Sequence, residues 1–101
     1  MPPKEWIVPL EEFELRIRRR TEGGKTVSFA VVLFALLDGN WVNISRYDTA
    51  HGYAHRDVLG LNDGLRGKLL MSRLTTSGAF AYAIHDLTEN AKIYLEDFLA
   101  H

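Results

Sequence analysis

At 101 residues, with 47% hydrophobic and 25% charged content, the chain has the make-up of one globular domain of ordinary size and is too apolar for a disordered one. Twelve Lys and Arg against thirteen Asp and Glu leave a formal net charge of -1, which excludes a global cationic field for nucleic acid while allowing a local basic patch. Cysteine is absent, so disulfides, thiolate metal sites and cysteine nucleophiles are excluded, and a reducing cytoplasm is the expected setting.

Met1-Pro2-Pro3-Lys4-Glu5-Trp6 carries no apolar run behind a basic end, so no signal peptide is expected there. The longest apolar run, Phe29 to Leu37, is nine residues and too short to cross a bilayer as a helix. No membrane association is expected. Residues 12–18 alternate, with Phe13, Leu15 and Ile17 on one side and Glu12, Glu14, Arg16 and Arg18 on the other, the pattern of a half-buried strand. Its end carries the basic run Arg16, Arg18, Arg19 and Arg20, which reads as a solvated, protected edge or as a contact for phosphate backbone. Glu22-Gly23-Gly24-Lys25 is a turn, because paired glycines accept positive φ without steric cost.

Val27 to Leu37 is apolar at odd and even positions alike, which predicts a central strand covered on both faces. Asp38-Gly39 is a favoured pair for a two-residue hairpin, and Trp41 to Tyr47 returns as the next strand. A shorter strand ends at Val58-Leu59, Gly60 to Gly64 is a loop, and Lys68 to Leu74 is a last short strand. Thr75, Thr76 and Ser77 offer N-cap hydroxyls, and Phe80, Ile84, Leu87, Ala91, Leu95 and Phe98 then recur at helical spacing, widened by Ala83 and Tyr94. The expected fold is α+β: a single domain over 1–101, with an antiparallel four- to five-stranded meander over about 12–74. One long helix over about 76–100 packs on one face. Such a helix runs roughly 33 Å and covers one face only. Tyr82, Ile93 and Ala100 dot its outer surface. The open sheet face and that outer surface are therefore candidate contacts for a homodimer or a small protein partner.

Chemistry concentrates in Arg46-Tyr47-Asp48-Thr49-Ala50-His51-Gly52-Tyr53-Ala54-His55-Arg56-Asp57. Three readings fit it. In the first, His51 and His55 transfer protons, helped by Asp48, because an unperturbed imidazole titrates near neutrality. Arg46 and Arg56 then hold a phosphate, and Tyr47 and Tyr53 stack on a base or donate a hydrogen bond, as metal-free RNA cleavage would need. In the second, His51 and His55 bind a divalent ion with Asp48 or Asp57. Residues four apart on a strand lie about 13 Å apart at Cα, so this works only if Gly52 bends the segment. In the third the cluster is structural, with Asp48 accepting turn amides, Arg46 and Asp57 paired across strands and His55 a satisfied edge residue. None of the three calls for a bound cofactor other than the metal of the second. His85-Asp86 lies beside the helix stripe as a boundary pair.

From Arg46 to Asp57 the chain resembles a small family of uncharacterised prokaryotic proteins. Their Arg-Tyr-Asp-Thr-Ala-His-Gly segment and second histidine precede a C-terminal helix like Ala81-Tyr82-Ala83-Ile84-His85-Asp86-Leu87, Glu89-Asn90 and Tyr94. That resemblance implies a meander plus helix. A more distant one, through Arg46, Tyr47, Asp48, Ala50, His51 and His55, is to TumE-type toxins of bacterial toxin–antitoxin modules, and it implies an RNA-acting protein. A non-catalytic dimerising interaction module is the alternative.

Overall fold

The computed structural model describes residues 2–101, with His51 described in its backbone only. Among the described residues, six strands form one antiparallel sheet in the order β1(Lys4–Leu10), β2(Phe13–Glu22), β3(Lys25–Leu37), β4(Asn40–Asp48), β5(His55–Gly60) and β6(Gly64–Leu70). Each strand pairs with the one before it, so every connection is a hairpin. Two helices, α1(Thr76–Glu89) and α2(Ala91–Ala100), follow. The class is α+β with an antiparallel sheet, as the patterning predicts, but the sheet has six strands rather than four or five.

The additional strand is β1. It pairs in register with β2, Trp6 opposite Ile17 and Val8 opposite Leu15. The turn between them, Glu11-Glu12, contains none of the residues that mark a hairpin, because Glu11 itself adopts φ +63°. Pro9 and the run Trp6-Ile7-Val8 hide the alternation further. The Asp38-Gly39 turn matches expectation, with φ values of +50° and +80° that belong to the type I′ geometry favoured between twisted strands. The last strand ends at Leu70 rather than continuing to Leu74, and Met71–Thr75 passes into α1. There the Thr75 hydroxyl caps the helix by accepting from the Gly78 amide at 3.0 Å.

The expected single helix is two. Asn90 leaves the helical region at φ −113°, ψ 19° and separates α1 from α2. Its side-chain amide donates to Asp86 Oδ1 at 2.8 Å, so a residue with a local polar alternative interrupts the ladder although the apolar stripe runs on. The break lets α1 pack over β2 and β3 while α2 packs over β4 and β5.

The core lies between the helices and one face of the sheet. Phe13, Leu15 and Ile17 from β2 and Phe29, Val31, Leu33 and Ala35 from β3 meet Ala79, Phe80, Ala83, Leu87, Ala91 and Phe98. The opposite face carries Ile7, Arg16, Arg18, Ala30, Val32, Phe34 and Leu36, continuing through Trp41, Arg46, Asp48, His55, Asp57 and Lys68, because alternate residues of paired strands share a side. Among the described residues no helix covers this second face, and none is long and apolar enough to cross a membrane.

Candidate functional site

The polar segment forms the β4–β5 hairpin. Asp48 ends β4, a single 3₁₀ turn spans Ala50–Gly52, and His55 opens β5. Gly52 supplies the bend, at φ +86°, where a Cβ would be strained. Asp48 Oδ1 accepts the Ala50 amide at 2.9 Å and fixes the start of the turn. The bend folds the strand back so that Asp48 stands opposite His55 and Arg46 opposite Asp57.

These four side chains meet on the open face with Lys68, which β6 places opposite Asp57. His55 and Asp57 are each only 1% exposed although no helix lies above them, because the hairpin and its neighbours enclose them. His55 Nε2 lies 3.1 Å from Asp48 Oδ1 and 3.3 Å from Asp57 Oδ1. The Lys68 ammonium lies 3.3 Å from the same ring nitrogen and donates to Asp57 Oδ1 at 3.0 Å. Arg46 Nε makes a short hydrogen bond to Asp57 Oδ2, so both oxygens of that carboxylate are taken by cations. Burial pushes the Asp57 carboxyl upward, but the bonds from Arg46 and Lys68 outweigh it and hold the group below the usual carboxylate range. On its other side the His55 ring places Nδ1 3.3 Å from the Tyr53 carbonyl oxygen.

Strand alternation divides the remaining expected residues. Arg46 faces the open side, whereas Arg56 faces the helices, donating to Ser45 Oγ at 3.3 Å with its guanidinium 4.7 Å from the Tyr94 ring centroid. The two arginines therefore do not converge on one phosphate. Tyr47 also faces the helices and is buried, its hydroxyl donating to Asp86 Oδ2 at 2.6 Å. Tyr94 donates to the same oxygen. Burial foremost, with the bond to Asp86 adding to it, raises the Tyr94 phenol to about 12 and lifts the Tyr47 phenol further. Tyr53 is exposed beside His55, the ring centroids 5.7 Å apart. The expected role of His51 rests on a side chain outside the described residues.

Chemically, the cluster is two carboxylates compensated by two cations around one buried imidazole. Proton transfer by His55 to a bound molecule requires that molecule within hydrogen-bond reach, and the ring nitrogen that faces the cluster already meets three protein groups. As potential ligands, one atom each of Asp48, His55 and Asp57 lie within 4.8 Å of one another.

A family model described as a domain of unknown function (DUF7718) matches residues 1–101. The chain belongs to this family. No curated protein and no solved structure matches it. In this DUF7718 domain two further groups complete the polar contacts: Lys68, which has no sign in the primary pattern, and Asp86, which has one. Lys68 sits among leucines on a short strand, and only the β5–β6 register, shifted by a bulge at Val58/Leu59, brings it to Asp57. Asp86 lies one helical turn from Asn90 and two from Tyr94, spacing that marks a polar line within an apolar stripe.

Proposed function

We propose that the protein is a non-catalytic interaction module that pairs with a second copy of itself through the open face of its sheet. The carrying observation is that β3 is apolar on both sides while helices cover one side. Ala30, Val32, Phe34 and Leu36 stand on the uncovered side, flanked by Ile7 and Trp41, which are 57% and 39% exposed. Six strands span about 24 Å and a typical strand runs about 20 Å. That footprint is on the order of 500 Å² in projection and larger in accessible area, comparable to the ~800 Å² per partner of a standard interface.

Charge favours a copy over an RNA. The cations around the apolar strip are held by neighbouring carboxylates: Arg16 by Glu14 at 2.6 Å, Arg18 by Glu5 at 3.5 Å, Arg20 by Glu22 at 3.2 Å, and Arg46 and Lys68 by Asp57. A patch of mixed, paired charge meets its own copy without repulsion, whereas phosphate binding calls for cations in excess. The likeness to TumE-type toxins offers RNA as the competing partner. Against a hydrolytic role stand the burial of His55, the opposed directions of Arg46 and Arg56, and the engagement of the Tyr47 hydroxyl.

Sedimentation velocity of the wild type, Ile7→Glu and Val32→Glu tests this reading. Val32 is the register partner of both Arg16 and Arg46, so a glutamate there is locally accommodated. The wild type is expected to sediment as a dimer and both variants as folded monomers with unchanged circular dichroism. A wild type that is monomeric at high micromolar concentration, or one that cleaves RNA, refutes it.

A further inference from the structure

The cluster on β4 and β5 brings together the donors of a metal site, one atom each of Asp48, His55 and Asp57 within 4.8 Å of one another. Adjacent donors around an ion held at about 2.0–2.2 Å lie roughly 3.0–3.5 Å apart in tetrahedral or octahedral arrangements. The separations from His55 Nε2 to Asp48 Oδ1 and Asp57 Oδ1, 3.1 and 3.3 Å, fall in that interval. The imidazole supplies a second, independent indication. Its Nδ1 lies 3.3 Å from the Tyr53 carbonyl, the outer partner that metal-bound histidines commonly have, and with the proton on Nδ1 the ring presents Nε2 as a ligand. That nitrogen is enclosed, in a side chain 1% exposed, and faces two carboxylates. Nitrogen and oxygens turned toward one point suit a bound cation.

A cation is already near that point. The Lys68 ammonium touches both Asp57 Oδ1 and His55 Nε2, on a side chain 37% exposed that reaches in from solvent and can withdraw to it. Outer bonds hold the carboxylates independently of Lys68: the Ala50 amide to Asp48, and Arg46 to Asp57. We propose that Asp48, His55 and Asp57 bind a first-row divalent cation such as zinc or manganese, which displaces the Lys68 ammonium. One imidazole and two carboxylates suit this class, and the two carboxylate charges neutralise the ion. Three protein ligands leave at least one coordination position open. All three ligands come from one chain, so binding of the ion does not require a second copy, although the cluster lies on the same open face of the sheet.

The test is calorimetric titration of the chelator-stripped, tag-free chain with zinc chloride and with manganese chloride. One equivalent is expected to bind. His55→Gln and Asp57→Asn are expected to weaken binding by about a hundredfold or more, whereas Lys68→Met is expected to tighten it by about tenfold or more, because a competing charge is gone. A gain of affinity in Lys68→Met is a result that misfolding does not imitate. His101→Ala is the control for surface binding, since His101 lies 3.8 Å from both Asp63 and Asp97, and it should leave the titration unchanged. The proposal is overturned if neither the wild type nor Lys68→Met binds either ion. It is equally overturned if Lys68→Met binds no more tightly than the wild type, or if His101→Ala abolishes binding.

Discussion

Replacing Tyr47 by Phe tests how the helices are held to the sheet. The Tyr47 hydroxyl on β4 and the Tyr94 hydroxyl on α2 both donate to Asp86 Oδ2 on α1, and Asn90 donates to Oδ1, so one buried carboxylate joins three elements. A hydrogen bond to a charged acceptor contributes about 1.5–3 kcal/mol. Tyr47→Phe removes one donor of three and leaves the carboxylate still bonded, so the lower part of that range applies, about 2 kcal/mol. For a chain of this size that lowers Tm by roughly 8–16 °C. Asp86→Ala removes all three bonds and strands the buried Tyr47 hydroxyl. It also relieves a carboxylate placed near the negative end of α1 and installs a better helix former, so its cost stays below the threefold sum, at about 3–5 kcal/mol. The sharper expectation concerns the double variant. With Asp86 gone, Tyr47→Phe deletes an orphaned hydroxyl and should cost nothing or restore stability. Urea unfolding of the four proteins gives the coupling. If Tyr47→Phe costs the same about 2 kcal/mol with and without Asp86, the bond does not carry the effect and the reasoning fails.

Two further outcomes follow from the backbone and from the phenols. Glu11→Gly should stabilise the fold by about 0.5–1 kcal/mol, because a non-glycine residue is held at φ +63° in the β1–β2 turn and glycine adopts that region freely; a lower melting temperature would show that the turn is not strained. The Tyr94 phenol is raised to about 12, chiefly by burial and then by Asp86. The folded chain thus keeps a proton that the unfolded chain loses near the ordinary tyrosine value of about 10. Its contribution is complete below about 10 and declines as pH rises toward 12. Thermal melts between pH 9 and about 12 should fall in that window, and Tyr94→Phe should flatten the fall; an equally steep decline in the variant contradicts the assignment.

The residues made some features legible and hid others for definable reasons. Strands β2 to β5 and the turns at Gly23-Gly24 and Asp38-Gly39 follow from alternation and turn chemistry, which are local properties. Strand β1 escaped because Glu11 supplies a positive φ that its identity does not advertise, and the break at Asn90 escaped because the apolar stripe continues across it. At the polar segment, Gly52 correctly marks the bend, and the Arg46–Asp57 pair and the Asp48 turn contact are properties of a two-stranded hairpin. The two-residue period of a strand sends Arg46 and Arg56 to opposite faces, so the two do not share a phosphate. The arrival of Lys68 depends on the pairing of a third strand and has no local sign.

The strictly sequential strand order has a consequence for biosynthesis. Each strand finds its partner in the segment just made, so the whole sheet is available to assemble before Thr76–Ala100 has left the ribosome. The helices that seal Leu15, Val31 and Leu33 are translated after the strands they cover. For that interval the nascent sheet presents two apolar faces, and its first encounters set whether the proper cover or a neighbouring chain arrives sooner. Slowing or accelerating translation across residues 76–101 should therefore shift the soluble yield without altering the finished protein's stability.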